Sequence, residues 1–320
     1  MVSLALGVDL GGTNARAAVV DRDSGEIVAA HKEPLRARDP AAVVDVVSHA
    51  IQAATEALGV AVGSFRSVGV GVAGQCLGST GVVLNAPNLG WRDVPFGTLL
   101  AERLGVAVRI ANDLSAAAWG EKRFGAAQGL SEAVLVFVGS GVGSGLILGG
   151  KLHEGARGVG GELGHVKVRP SRPTTPLRRC GCGMMGCLEA YTSGVNIAAR
   201  VREELSAGIS SRVLALAGGD PARITASVVD AAWTEGDAYA RALWDEVADL
   251  LGAAIANVAT LLNPERIILG GGVVLGCPNL VRLAREQFER KVLVAARQGL
   301  SVERAFLGDD AGVIGAALLE

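Results

Sequence analysis

Short apolar runs alternate with longer amphipathic segments along this chain. The opening predicts three strands, LALGVD, ARAAVVD and EIVAAHK, with turns at LGGTN and RDSG. A helix is predicted from Pro40 to Leu58, because proline fits the first turn of a helix and apolar residues recur on one face. SVGVGVAG and VAVRIAND predict two more strands, and residues 95–104 and LSAAAWGEKRF predict helices. Strands that alternate with helices indicate an α/β sheet.

The second half repeats this order. EAVLVFV and LILGG predict two strands around the glycine-rich turn GSGVGSG, a mostly helical stretch reaches about Asn263, and ERIILGG predicts another strand. Two copies of strand, glycine turn and strand therefore lie about 130 residues apart. Duplicated lobes would explain this repetition, and two unrelated hairpins are the alternative. The final DDAGVIGAALLE predicts a short apolar helix.

Length and charge narrow the class of protein. The 320 residues are about twice a typical domain, which predicts two lobes. With 30 Lys and Arg against 32 Asp and Glu, no overall charge attracts nucleic acid or an anionic membrane, so small-molecule partners are expected. The first residues lack the basic start of a secretory signal, which predicts a cytoplasmic protein. Residues 133–150 carry no charge over a length near that of a membrane span, but their glycine centre favours two strands.

The first glycine turn is a candidate phosphate site. Gly11 and Gly12 let backbone N–H groups approach a phosphate, while Thr13 and Asn14 add side-chain donors. Asp9 is placed to hold a phosphate-bound Mg²⁺ through water. The alternative is a hairpin turn whose glycines adopt positive φ, with no ligand involved.

A second candidate nest for oxyanions lies at residues 139–145, with Ser140 and Gly141 at its centre. It lacks the following helix of a dinucleotide fingerprint and the lysine of a P-loop, so neither motif applies. Near the C-terminus a strand runs into Gly271 and Gly272, where a planar adenine can lie against backbone. An ordinary turn from strand to loop would use the same residues.

Asn112 and Asp113 end a predicted strand just before a helix. Either residue type caps helices, which is one interpretation of the pair. The other places a carboxylate at the carboxyl end of a strand, where open α/β sheets bind ligands. At that position Asp113 can accept a proton from an attacking hydroxyl.

The spacing C-x-C-x₄-C, preceded by an upstream histidine, indicates a zinc site. Three thiols and one imidazole complete a tetrahedral set, and the glycines between them permit sharp turns. The predicted ligands are His165, Cys180, Cys182 and Cys187. Three buried structural thiols are the alternative. Cys76 and Cys277 are expected in the core or at a pocket edge. His31, His49 and His153 show no pattern of partners and are expected at the surface or satisfied by neighbouring groups.

Together these segments resemble the ROK family, the sugar kinases and sugar-responsive repressors of the actin-like ATPase superfamily. The resemblance lies in DLGGTNARAAVV, GSGVGSGLILGGKLHEGARGVGGELGH and CGCGMMGCLEAYTSG, and covers about residues 4–318. It implies a two-lobed, ribonuclease H-like α/β fold with an active-site cleft between the lobes. The small lobe would comprise residues 1–115 and a C-terminal helix at 308–320, and the large lobe residues 116–307 with the zinc motif.

The resemblance implies an ATP-dependent hexose kinase acting on the 6-hydroxyl, and NAPNLGW favours glucose. Kinases of N-acetylglucosamine or N-acetylmannosamine and a fructokinase are the alternatives within this class. A sugar-responsive regulator is the alternative from another class, although the first phosphate strand begins near residue 3 and leaves no room for a preceding helix-turn-helix. The implied cofactors are ATP, Mg²⁺ and a structural Zn²⁺, and a homo-oligomer, dimer or tetramer, is expected.

The resemblance also assigns individual residues. Asp113 would be the catalytic base. The residues implied to contact the sugar are Asn112, Glu162, His165 and Glu189 at its hydroxyls, and Gly74 and Asn88 in nearby loops. The insert SRPTTPLRR between His165 and Cys180 is longer than is expected for many members of the family.

Overall fold

The computed structural model describes residues 3–172 and 175–319. Within these ranges the strands are β1 (Leu4–Leu10), β2 (Asn14–Asp21), β3 (Ile27–Pro34), β4 (Ser67–Val72), β5 (Gln75–Leu77), β6 (Val82–Ala86), β7 (Trp91–Val94), β8 (Ala107–Asn112), β9 (Ala133–Val138), β10 (Val142–Leu148), β11 (Lys151–Leu152), β12 (Arg266–Gly270) and β13 (Ser301–Arg304).

The α-helices of the same ranges are α1 (Pro40–Glu56), α2 (Phe96–Leu104), α3 (Asp113–Phe124), α4 (Glu189–Thr192), α5 (Gly194–Ser206), α6 (Val213–Leu216), α7 (Ala226–Thr234), α8 (Ala238–Leu262), α9 (Gly272–Gly276), α10 (Pro278–Lys291), α11 (Val294–Arg297) and α12 (Ala311–Ala317). Short 3₁₀ turns lie at Val62–Ser64, Leu163–His165, Pro221–Arg223 and Gly308–Asp310.

The predicted strands and helices are confirmed, with one correction at the second glycine turn. The whole run GSGVGSG was expected to be the turn, but β10 already begins at Val142. The connection between β9 and β10 is therefore only Gly139–Gly141. Glycine and serine continue into β10 as buried strand residues, where small side chains fit. Among the residues that the structure describes, none of the helices combines the length and apolar character needed to span a bilayer.

The chain divides into two compact units. Unit 1 comprises Met1–Val134, Gly145–Gly161 and Ala305–Glu320, and unit 2 comprises Leu135–Ser144 and Glu162–Arg304. The lobe boundaries expected near residues 115 and 307 stay a prediction.

The first five-stranded sheet has the order β3–β2–β1–β4–β8. Strand β1 pairs antiparallel with β2 and parallel with β4, and β4 pairs parallel with β8. One face carries a large apolar cluster to which α1 contributes Val43, Val47 and Ile51. Against the other face, α12 packs so closely that a Cβ built on Gly69 would lie 1.7 Å from the carbonyl oxygen of Ala316. Glycine in β4 is therefore what allows this helix to sit on the sheet.

The second five-stranded sheet has the order β11–β10–β9–β12–β13. In unit 2 the long helix α8 packs against α10. Asp237 caps the N-terminus of α8, where its carboxylate accepts the N–H of Ala240 at 2.8 Å. Asn263, in the left-handed region, caps the C-terminus. A third, three-stranded sheet, β5–β6–β7, belongs to unit 1.

Candidate active site and metal centre

Three neighbouring strands of the first sheet end at the same level. Leu10 of β1 pairs with Val72 of β4, and Val72 pairs with Asn112 of β8. The segments that follow these strands therefore start at one edge of the sheet. The carboxyl edge of parallel strands is where open α/β sheets bind their ligands. The glycine turn after β1 and Asp113 after β8 are both at this edge.

The first turn connects β1 to β2 through Gly11, Gly12 and Thr13. The amide of Gly11 donates to the carbonyl of Asn14 at 3.0 Å, and the Asn14 side chain donates to the Thr13 hydroxyl at 2.9 Å. Neither glycine has a positive φ, so the alternative of a turn that requires one is wrong. A Cβ on Gly12 would instead lie 2.8 Å from the Cβ of Asn88. This glycine is needed for close approach, and Asn88 borders the first turn.

Asp9 lies near the end of β1, just before this turn. Burial raises the pKa of its carboxyl group, while the charges of Arg16 and Lys32 act in the opposite direction. A Cβ on Gly312 would lie 3.7 Å from the Asp9 carboxyl carbon, so the start of α12 borders this group. A cation bound at a desolvated carboxylate offsets the cost of burying its charge, which suits the predicted role of Asp9.

Asn112 caps helix α3. Its side-chain oxygen accepts the N–H groups of Leu114 at 2.9 Å and Ser115 at 3.1 Å, and its amide donates to the carbonyl of Gly74 at 3.0 Å. The cap interpretation is therefore confirmed for Asn112, and the structure brings Asn112 and Gly74 into contact. Asp113 follows in the first turn of α3, half-buried, with one carboxylate oxygen 3.0 Å from the N–H of Leu114. The cap thus fixes the backbone from which Asp113 projects.

The second turn, Gly139–Gly141, is also three residues long. The amide of Gly139 donates to the carbonyl of Gly141 at 2.9 Å, and neither has a positive φ. Glu189 holds this turn, because its Oε2 accepts the N–H of Val142 at 2.9 Å. A Cβ on Gly141 would lie 2.8 Å from the same oxygen. Ser140, at the tip, is exposed. The contact between Glu189 and this turn is not signalled by any local sequence pattern.

The third glycine segment lies beside the second turn. Gly271 has φ +93°, and a Cβ there would lie 2.5 Å from the carbonyl oxygen of Val138, so only glycine fits. The backbone nitrogen of Gly272 is 3.7 Å from the position of a Cβ on Gly139. The structure therefore brings the predicted adenine segment and the second turn together within unit 2.

The predicted metal ligands come together in unit 2. One ligand atom from each of His165, Cys180, Cys182 and Cys187 lies within 4.8 Å of all the others. The sulfurs of Cys182 and Cys187 are 3.6 Å apart, and the sulfur of Cys180 is 3.8 Å from Nδ1 of His165. Zinc–sulfur bonds of about 2.3 Å in a tetrahedron give ligand separations of about 3.7 Å. The four side chains therefore have the spacing of a zinc site.

The residues around this cluster connect it to the predicted sugar ligands. Nε2 of His165, the ring nitrogen that faces away from Cys180, is 3.6 Å from a Glu162 carboxylate oxygen. The Cys180 thiol, whose pKa burial raises to about 12, donates to Oε1 of Glu189 at 3.6 Å. Lys167, which the sequence analysis missed, donates to the Cys187 sulfur at 2.9 Å. An ammonium group at this position would compensate the charge of thiolate ligands if the cluster held a metal ion.

The insert before the metal ligands is anchored on two helices of unit 2. The Thr175 hydroxyl donates to Oε2 of Glu246 in α8 at 2.7 Å, and Arg200 of α5 donates to Oε1 of Glu246 at 2.6 Å. The N–H of Arg178 donates to the Tyr191 hydroxyl at 2.9 Å. Pro173 and Thr174 of the insert lie outside the described residues.

Comparison with known proteins identifies the family. The model of the ROK family matches residues 5–320. A glucokinase of Streptomyces coelicolor is 34% identical over 320 residues, which cover 99% of this chain and 97% of that protein. The crystal structure of a ROK family glucokinase from Streptomyces griseus in complex with glucose and AMPPNP has a TM-score of 0.80 and 35% identity, covering 98% of each chain.

A ROK hexokinase from Thermus thermophilus is also similar, with a TM-score of 0.82 and 29% identity over 99% of this chain and 97% of that one. These likenesses confirm the predicted fold class, a two-lobed α/β fold of the actin-like ATPase type. The matches cover nearly the whole chain rather than one motif, and the chain belongs to the ROK family.

Proposed function

We propose that this protein is an ATP-dependent glucose kinase that transfers the γ-phosphoryl group to the 6-hydroxyl of the sugar. The observation that carries the proposal is the common edge of β1, β4 and β8, from which both the Gly11–Thr13 turn and Asp113 emerge. A phosphate nest and a carboxylate at one sheet edge suit phosphoryl transfer to a hydroxyl. Similarity to glucokinases over nearly the full length supports the same function.

Phosphoryl transfer requires alignment and charge neutralisation more than covalent help from the protein. Asp113 accepts the proton of the attacking hydroxyl, and the Asn112 cap keeps its backbone in place. The amides of the first turn, with Thr13 and Asn14, bind phosphate oxygens. Asp9 would hold Mg²⁺, and the ion would supply neutralisation of phosphate charge.

The residues of unit 2 divide between nucleotide and sugar. Ser140 and Gly141 bind phosphate, and Gly271 with Gly272 offers backbone to the adenine. Glu162, His165 and Glu189 bind sugar hydroxyls, as the family resemblance implies. Two carboxylates accept from hydroxyls and an imidazole nitrogen donates, so sugars that leave these groups unpaired bind poorly. Gly74, Asn88 and Asn112 stay predicted sugar-side residues.

We infer a structural role for a zinc ion bound by the Cys₃His cluster. Four protein ligands leave no open coordination position, so zinc would fix the loop rather than act on the substrate. Metal analysis of the purified protein is expected to give one tightly bound zinc per chain, and Cys182→Ser is expected to lose it. A chelator-free preparation without zinc would contradict this assignment. The homo-oligomeric state and the cytoplasmic location stay predictions.

A coupled assay tests the sugar and the reaction together. The purified protein with ATP and Mg²⁺ is assayed against glucose, mannose, fructose, N-acetylglucosamine and N-acetylmannosamine. Glucose is expected to give the highest kcat/KM, and its product is expected to serve a dehydrogenase specific for glucose 6-phosphate. A higher kcat/KM for an N-acetylated sugar, or a product that this dehydrogenase rejects, would overturn the proposal.

A further inference from the structure

Two histidines for which the sequence showed no partners lie together in unit 1. His31 is on β3 and His49 is on α1, and Glu33 of β3 lies between them. Oε2 of Glu33 is 2.5 Å from Nδ1 of His49 and 3.8 Å from Nε2 of His31. The two imidazole rings face each other edge-on, with centroids 6.1 Å apart. This agrees with the expectation that these histidines lie at the surface or are satisfied by neighbouring groups.

The fold explains why these side chains meet. Alternate residues of a strand share one face, so His31 and Glu33 project from the same side of β3. Helix α1 packs against β2 and β3 and presents His49 to them. The three side chains remain open to solvent, with exposed fractions of 41%, 27% and 65% for His31, Glu33 and His49.

We propose that His31, Glu33 and His49 form a second metal site, which takes a single divalent transition ion of the Zn²⁺ class. One ligand atom from each lies within 4.8 Å of the other two. In a tetrahedral site, metal–ligand bonds of about 2.0–2.1 Å place the nitrogen and oxygen ligand atoms about 3.4 Å apart. This value lies between the distances from Oε2 of Glu33 to the two imidazole nitrogens, 2.5 Å and 3.8 Å. Small rotations of the side chains bring all three atoms onto one ion.

The donor set decides which ions the site accepts. Two imidazoles and one carboxylate suit Zn²⁺, Ni²⁺ and Cu²⁺. Mg²⁺ and Ca²⁺ prefer oxygen ligands, so the Mg²⁺ that accompanies ATP does not compete. No thiol belongs to this cluster, which separates it chemically from the Cys₃His cluster of unit 2. Three protein ligands at an exposed position leave water to complete the coordination.

An ion at this site would join α1 to the edge strand of the first sheet. Strand β3 borders the first turn, because Pro34 pairs with Asn14 and the N–H of Leu35 donates to the carbonyl of Thr13 at 2.8 Å. Glu33 itself pairs with Ala15. An ion that binds the folded chain but not the unfolded chain increases the free energy of unfolding by mass action. The expected consequence is a metal-dependent stabilisation of unit 1.

Zinc titration of the purified full-length protein tests this site. Zinc per chain is measured by elemental analysis after equilibrium with buffered free Zn²⁺, and the melting temperature is recorded at each concentration. The variants are His49→Gln and Glu33→Gln, with Cys182→Ser to report on the other cluster. His153→Gln is the matched control, because His153 is also exposed and belongs to neither cluster. Mg²⁺ at equal concentration controls for nonspecific ionic effects.

The wild type is expected to bind two zinc ions, and both His49→Gln and Glu33→Gln are expected to weaken the second by at least about tenfold. Cys182→Ser should retain that second ion, which separates this site from the zinc proposed above. The rise in melting temperature with Zn²⁺ should be smaller in His49→Gln than in His153→Gln, because zinc at the Cys₃His cluster stabilises both variants and the second ion stabilises only His153→Gln. An unchanged second ion in both cluster variants, or the absence of any zinc beyond that lost in Cys182→Ser, would overturn the proposal.

Discussion

The two five-stranded sheets share one plan. In each, the first strand of a hairpin occupies the centre, its second strand lies on one side, and two further strands lie on the other. In each, the hairpin connection is three residues rich in glycine, Gly11–Thr13 in the first sheet and Gly139–Gly141 in the second. The common order favours duplicated lobes over two unrelated hairpins.

The two turns differ in what surrounds them. The first turn has its predicted phosphate and Mg²⁺ ligands within the same segment, since Thr13 belongs to the turn and Asp9 and Asn14 are close to it in sequence. The second turn is held by Glu189, whose carboxylate accepts a hydrogen bond from the N–H of Val142. The two residues are 47 positions apart in the sequence. The same backbone plan therefore has its predicted ligands nearby in sequence in one copy and is held by a distant side chain in the other. Substitutions at the two turns should have different consequences.

Loss of the Asp113 carboxylate is expected to have the largest effect, and it tests whether the chemistry belongs to the edge of the first sheet. Asp113→Asn keeps a hydrogen-bonding side chain but cannot accept a proton. The expected fall in kcat is about 10²–10⁴-fold, with glucose binding nearly unchanged. Steady-state kinetics and glucose titration measure the two quantities. Turnover close to the wild-type value would remove Asp113 from the mechanism.

Loss of the buried ion pair between Arg200 and Glu246 is expected to have the next largest effect. This effect is on the stability of the fold. Arg200→Met leaves Glu246 without its charged partner in an interior position, where both side chains are at most 4% exposed. Such a change costs about 3–5 kcal/mol of unfolding free energy. Arg103→Met is the control in unit 1, because its pair with Asp45 is exposed and contributes only about 0–1 kcal/mol.

Denaturant unfolding of both variants measures the difference. Equal losses of stability would mean that the insert is not anchored through Glu246. Zinc content provides a second readout, because Thr175 connects the insert before Cys180 to the same carboxylate. We expect Arg200→Met to release zinc more readily than Arg103→Met does.

Alanine substitutions at the glycines of the two turns test whether both turns bind phosphate. A Cβ at Gly12 or Gly141 meets a neighbouring side chain at 2.8 Å, so alanine there is expected to cost about 1–3 kcal/mol of stability. Alanine at Gly11 or Gly139 meets its nearest atom only at 3.7 Å and should leave the fold intact. If phosphates lie against these amides, Gly11→Ala and Gly139→Ala raise KM for ATP without lowering the melting temperature. An unchanged KM in both would argue for turns without a ligand.

The sequence predicted most of the fold and those parts of the site that depend on neighbouring residues. Strand periodicity and the cysteine spacing predict most strands of the two five-stranded sheets and the metal cluster, because both patterns are local. The three-stranded sheet and strand β13 are not predicted. The sequence predicts too long a second turn, because glycine in GSGVGSG is a turn signal. In the structure, Val142 and the residues after it belong to a strand. The contacts of Glu189 with Val142, and of Glu33 with His49, depend on how distant elements pack. No spacing in the sequence encodes them.

The smallest expected effect is also the one that separates two roles for Glu189. Its Oε2 accepts the N–H of Val142 in the second turn, while the family resemblance assigns the same carboxylate to sugar hydroxyls. Glu189→Gln keeps the size of the side chain and an oxygen acceptor for Val142, but it loses the charge that strengthens bonds from sugar hydroxyls. We therefore expect KM for glucose to rise by about tenfold, which corresponds to about 1.4 kcal/mol, with a smaller change in KM for ATP. Discrimination between glucose and mannose should fall as well. If both KM values rise equally and the preference between epimers is unchanged, Glu189 acts only by supporting the second turn and the loop that carries Cys180. The distant side chain at the second sheet would then have a structural role only.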